Sequence, residues 1–145
     1  MPDANVTVIP VRSRADSHRF IGLPYRLYEN DPMWVAPLKR AEKQFWNPAH
    51  NAALKARRVE RYIALRNNCC IGRIAAVMDS EFARRWSPHT GFFGFFECID
   101  DWEVAWQLLR VAETRLQQWD ALSVYGPVNL STQHEVGFML REGEP

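Results

Sequence analysis

The chain has 145 residues, a formal net charge of +1, 47% apolar residues and 24% charged residues, which fits one soluble domain with a real core. The near-neutral balance excludes a bulk electrostatic pull toward nucleic acid or membrane, and no apolar run reaches the roughly 18 residues that span a bilayer. Three cysteines, Cys69, Cys70 and Cys98, without CxxC spacing argue against a disulfide framework or a zinc site and leave packing as their role.

Taken in order, Met1–Arg12 lacks the charged-then-apolar order of a signal peptide, so the cytoplasm is the expected compartment. Val6–Val11 alternates weakly and reads as an edge or first strand. Ser13 or Asp16 caps a helix with Phe20, Leu23, Leu27 and Tyr28 on its apolar face. Pro24 falls inside that helix and predicts a kink or two short pieces. Two prolines hold Asn30–Pro37 as a loop, Lys39–Phe45 forms a helical turn, and Asn47–His50 is a further break. Val59–Arg66 and Ile71–Met78 are strands, and Asn67-Asn68 between them makes a tight turn because Asn tolerates positive φ. Alternation places Ile71, Arg73, Ala75 and Val77 on one face and Gly72, Ile74, Ala76 and Met78 on the other. Ser80–Trp86 is a short helix and Ser87–Gly91 a loop.

Gly91–Ile99 is an aromatic-rich strand, and a helix follows to about Trp119. Asp100 is the expected cap, with Glu103 at capping-box spacing. Trp102, Ala105, Leu109, Ala112, Leu116 and Trp119 form its apolar stripe, widened by Leu108 and Val111. Leu122–Gly126 is a second short strand, so the unit is βαβ with a right-handed parallel crossover. Asn129–Glu135, with Thr132 and Glu135 at capping-box spacing, resembles the start of another unit. The class is α/β (mixed α+β): a mixed sheet with flanking helices, a hairpin preceding a βαβ unit. Residues 1–145 read as a single domain, the N-terminal part of a longer protein. The region from Tyr125 to Leu140 is then expected to expose apolar surface, including Phe138, which favours a homo-oligomer or a covering C-terminal part.

This element order resembles the GNAT superfamily of N-acetyltransferases. Ile71-Gly72-Arg73-Ile74-Ala75-Ala76 is similar to the second hairpin strand of that fold, and Gly94-Phe95-Phe96-Glu97 to its central strand. Tyr125-Gly126-Pro127-Val128-Asn129-Leu130-Ser131 resembles the GP-N-S turn of a bacterial GNAT-like group. The resemblance implies acetyl transfer from acetyl-CoA to a small-molecule amine or another acceptor. It places the cofactor at Ile99, Asp100, Asp101 and Trp102, where the helix begins, and at Asn129. In that superfamily the pyrophosphate rests on backbone N–H groups of a glycine-containing loop at the helix start. Here the junction has no glycine and two adjacent aspartates, which compete for the same donors and repel an anion. A non-catalytic GNAT-like module that needs a second half or a partner is therefore the alternative to an enzyme.

Glu97 is the candidate general base, since a carboxylate on this strand is placed to deprotonate an attacking amine. The alternative is an ion pair with an arginine such as Arg73. Tyr125 is the candidate general acid, against simple packing. Ser131 and Thr132 read as helix caps rather than nucleophiles, and His18, His50, His89 and His134 lack the spacing of a metal site or a catalytic triad. Lys55, Arg57, Arg58 and Arg61 form a basic cluster, a solvated face or a contact for the 3′-phosphate of CoA. Tyr25, Trp34 and Trp46 line an acceptor groove or cover the sheet edge.

Overall fold

Asn67 (φ 51°) and Asn68 (φ 61°) both take the left-handed conformation, which matches a two-residue hairpin turn to the twist of its strands. They join β2 (Arg57–Arg66) to β3 (Cys69–Asp79), as the sequence predicts. The face assignment needs one correction. Leu65 pairs with Cys70 and Ala64 with Gly72, so Ile71 is the extra residue of a bulge. A bulge advances the side-chain alternation by one position. Ile71 therefore joins Ile74 and Ala76 on one face of the sheet, while Arg73, Ala75 and Val77 take the other.

The structure is a computed structural model that describes residues 5–138. The other elements are β1 (Thr7–Pro10), α1 (Arg14–Leu27), α2 (Lys39–Phe45), α3 (Ala52–Lys55), α4 (Ser80–Arg85), β4 (Thr90–Cys98), α5 (Trp102–Gln118) and β5 (Ser123–Tyr125). The strands lie in chain order in one sheet, antiparallel except for the parallel β4–β5 pair. Helix α1 covers one face and α5 the other, each over its own core. No helix among the described residues is long and apolar enough to cross a membrane.

Ser13 and Asp16 cap α1 reciprocally, each side chain accepting the other's backbone N–H at 3.0 Å. The helix then runs through Pro24 in one piece to Leu27, so of the kink or two short pieces expected the second does not occur. Proline removes the N–H that would bond the Phe20 carbonyl. Arg73 Nη1 from β3 donates to that carbonyl at 3.0 Å instead.

Helix α5 begins one residue later than expected. Asp101, not Asp100, is the N-cap, and its carboxylate accepts from the N–H groups of Glu103 at 2.9 Å and Val104 at 3.4 Å. Its buried stripe is Val104, Leu108, Ala112 and Leu116, with Trp119 beyond the helix end. Ala112, Leu116 and Trp119 match the reading, whereas Ala105 is half-buried and Leu109 and Trp102 are exposed. The sheet makes the choice. A Cβ on Gly72 would stand 2.7 Å from Leu108 Cδ1, and one on Gly91 2.8 Å from Leu116 Cδ2, so the two glycines are the sockets for the two leucines.

After β5 the chain does not open a new helix. It runs beside β4, with Val128 N–H donating to Phe93 O at 2.8 Å, then folds back so that Val128 bridges Val136 and Asn129 N–H donates to Glu135 O. Ser131 stabilises this turn rather than a helix, accepting from Gln133 N–H and bonding His134 Nδ1 at 2.7 Å. Tyr125, Val136 and Phe138 are exposed, and Leu140 lies outside the described residues.

The two adjacent leucines of α5 test this packing. Leu108→Ala is expected to cost about 2–5 kcal/mol, and Leu109→Ala at most about 0.5 kcal/mol. Denaturant midpoints decide it, and equal losses would contradict the assignment.

Candidate active site

Strand β4 breaks at Phe95. Arg73 pairs with Glu97 and Ala75 with Gly94, so β4 carries one residue more than β3 between those partners. Phe95 sits at φ 53°, a conformation that costs an L-residue about 1–2 kcal/mol. Its surroundings hold it there. Phe95 N–H donates to Asn129 Oδ1 at 2.7 Å, and Asn129 Nδ2 donates to Glu135 Oε2 at 3.0 Å. Gly94 lets the segment after β5 approach, since a Cβ there would meet Val128 O at 2.1 Å. The Phe95 ring joins a cluster with Trp46 (4.7 Å between centroids), Phe45 (5.8 Å) and Phe20 (6.3 Å). Arg61 lies over Trp46 at 4.7 Å and donates to Ser17 Oγ.

Glu97 is the penultimate residue of β4, and Arg73 Nη2 and Nε contact its Oε2 at 2.5 and 2.7 Å. The ion pair weighed from sequence is thus present. Tyr28, at the end of α1, also meets Glu97. Burial first, then the charge and hydrogen bonding of Glu97, push the Tyr28 hydroxyl up to about 12, against the pull of Arg73. Tyr125 stands exposed on β5, and its hydroxyl makes no hydrogen bond among the described residues. Sequence reading had no signal for the Tyr28–Glu97 contact, because Tyr28 counted only as part of an apolar helix face.

Between α2 and the 129–135 turn lies a cleft of about 390 Å³, walled by Phe45, Phe95 and His134 and flanked by Glu42 and Glu135. The His134 ring meets Phe45 edge-on at 5.8 Å. Burial is the main cause that raises the Glu42 pKa; Arg73 opposes it, and Glu135 and Glu97 add to it. Apolar walls with carboxylates at the rim suit a ligand that carries an ammonium group on a hydrocarbon body. The sequence named Trp46 for an acceptor groove but missed Glu42, Phe45, Glu135 and His134, which only the turn after β5 brings together.

Solved structures share this architecture. The aminoglycoside N-acetyltransferase AAC(6')-Iy in complex with CoA superposes with a TM-score of 0.59 at 12% identity, covering 97% of this chain and 95% of that one. A tandem GNAT protein from the clavulanic acid biosynthesis pathway gives 0.61 at 10% identity, covering 81% of this chain and 34% of that one. The chain has the GNAT fold. No family model matches it. In sequence it is 34% identical over 139 residues to the bacterial ceramide synthase of Caulobacter vibrioides (strain NA1000 / CB15N), which is 95% of this chain and 36% of that protein. It is 30% identical over 128 residues to protein YghO of Escherichia coli (strain K12), 88% of this chain and 33% of that protein. The chain thus spans about a third of the length of the curated relatives it matches.

The cofactor residues expected from the GNAT resemblance are four at the α5 junction and one at the break. Ile99 is half-buried and bonds Ile71 O, Asp100 is exposed, and Trp102 projects into solvent. Asp101 holds the second and third amides of the helix, those of Glu103 and Val104, and also accepts from Arg66 Nη2 at 2.7 Å. That hydrogen bond is the leading cause that lowers the Asp101 pKa, with burial opposing it and the two helix amides adding to it. Asn129 holds the Phe95 amide. Two of the donors at the helix start are therefore spent on the protein's own carboxylate, whose charge also opposes an anion there, so the residues present here do not fit CoA's pyrophosphate.

Glu42 supplies a pH test. A carboxyl group whose pKa is raised by folding adds most stability below its unfolded value and loses that contribution as pH rises through the folded value. Glu42→Gln is therefore expected to stabilise the chain at about pH 7 and to have no effect below about pH 4. Thermal denaturation across that range checks it, and a loss of stability at neutral pH would contradict the assigned burial.

Proposed function

We propose that this chain is the acceptor-side GNAT unit of a longer acyl-CoA-dependent N-acyltransferase, and that its acceptor is the amine of a long-chain base. The observation that carries the reading is the aromatic, carboxylate-rimmed cleft at the break in β4. It offers apolar surface to a hydrocarbon body and negative charge to an ammonium group. The similarity to a bacterial ceramide synthase supports the choice of acceptor, since a ceramide is a long-chain base with an acyl group on its amine nitrogen.

Within this reading Glu97 is the group that takes the proton from the amine, and Arg73 and Tyr28 position it. Tyr125, exposed on β5 and not among the residues lining the cleft, is proposed as the general acid. Ile99, Asp100, Asp101 and Trp102 are not assigned to CoA, because Asp101 and Arg66 satisfy each other at the helix start. A second reading, a non-catalytic GNAT unit, draws on that same closed helix start.

Calorimetric titration at matched ionic strength separates the two readings. The chain is expected to bind n-octylamine with an affinity that rises as pH increases through the Glu42 pKa, and Glu42→Gln should flatten that dependence. Acetyl-CoA is expected to bind the wild-type chain weakly or not at all. Asp101→Gly, which frees two amides and removes a carboxylate at a helix cost of about 1 kcal/mol, should bind it more tightly. Micromolar acetyl-CoA binding by the wild type would overturn the closed helix start. No amine binding at any pH would leave the non-catalytic reading standing.

A further inference from the structure

A groove of about 540 Å³ lies on the outer side of α1, opposite the tip of the β2–β3 hairpin. It shares no residue with the cleft at the β4 break. His18, Arg19, Gly22 and Arg26 line it from one face of the helix, at steps of one, four and eight residues from His18. Asn67, Asn68 and Cys69 line it from the hairpin. No carboxylate is among the lining residues. Asp16 stands 3.8 Å from Arg19, and Arg26 has no acidic partner among the described residues.

The two guanidinium groups are fixed in place. Arg19 Nη2 donates to Asn68 Oδ1 at 3.0 Å, and Arg26 donates to the Cys70 carbonyl and to Cys69 Sγ. A guanidinium held at one edge by neutral acceptors keeps its charge and presents the rest of its fork, already oriented, to an incoming oxyanion. Gly22 is the second observation. It costs a helix interior about 1 kcal/mol relative to alanine, yet a Cβ there would meet nothing within 4 Å and its φ is not positive. Neither packing nor backbone conformation requires glycine at this position. Its effect is to leave open the floor between Arg19 and Arg26.

We infer that this groove binds a phosphate monoester. Two oriented guanidinium groups match a dianion, whereas a single guanidinium saturates a carboxylate. The volume leaves room for an organic group attached to the phosphate. The ligand is a soluble organic phosphate or the headgroup of a phosphomonoester lipid, since both present the same group. The site stands independently of the acyl-transfer reading.

Amide and arginine side-chain NMR signals of the chain test it, with glycerol 3-phosphate as the soluble probe. Vesicles of phosphatidylcholine with and without phosphatidic acid are the lipid probe, read by co-sedimentation. The expected result is saturable shifts at Gly22, Asn67, Asn68 and Cys69, absent with sodium chloride at the same ionic strength, or co-sedimentation only with phosphatidic acid. Arg26→Gln should weaken binding about tenfold, the loss of one charge-assisted pair. Gly22→Leu fills the floor while favouring the helix, so it should abolish binding in a folded chain. Binding by Gly22→Leu equal to wild type overturns the proposal, as does a response to neither probe or an equal response to chloride.

Discussion

Arg73 is the side chain on which the rest of the arrangement depends. Its guanidinium is buried on the α1 face of the central strand, where a charge without partners would be costly. It has partners on three sides: the Phe20 carbonyl that Pro24 leaves without a donor, the Glu97 carboxylate, and the faces of Phe20 and Phe95 at 5.0 and 6.0 Å. One residue thus keeps α1 continuous through a proline, docks that helix on the sheet, and fixes the only carboxylate of β4. Tyr28 and Glu42 both feel its charge, so the electrostatics of the cleft follow from the same contact.

This chain has the GNAT fold, and at two places its backbone donors are closed from within. At the start of α5 the Asp101 carboxylate takes the amides of Glu103 and Val104 and pairs with Arg66. At the break in β4 the Asn129 side chain takes the amide of Phe95. Both closures follow from the requirement that backbone donors be satisfied. The aromatic cleft beside α2 stays open.

Much of this frame was legible in the sequence. The hairpin is encoded by Asn67-Asn68, the parallel crossover by the strand–helix–strand pattern, and the order of elements by turn residues between apolar runs. The misses share a cause: each depended on a partner distant in sequence. The continuity of α1 through Pro24 required Arg73, which lies far along the chain. The face of α5 was ambiguous between Leu108 and Leu109 until Gly72 and Gly91 supplied sockets. The bulge at Ile71 shifted a face assignment that alternation alone could not have shifted. For the site, the sequence weighed the Glu97–Arg73 pair as the alternative to a free base, and the pair exists. The cleft was invisible because its wall at 129–135 reads as a helix start, whereas the bonds of Asn129 to Phe95 and Glu135 draw it into a turn.

Side chains of the protein itself satisfy backbone donors at the start of α5 and at the break in β4. Scalar couplings transmitted across hydrogen bonds measure this directly, between the Phe95 amide nitrogen and Asn129 Cγ and between the Glu103 amide nitrogen and Asp101 Cγ. Both couplings are expected in the free chain, and both should persist with CoA in large excess. Couplings absent from the free chain, or lost when CoA is added, would contradict this assignment.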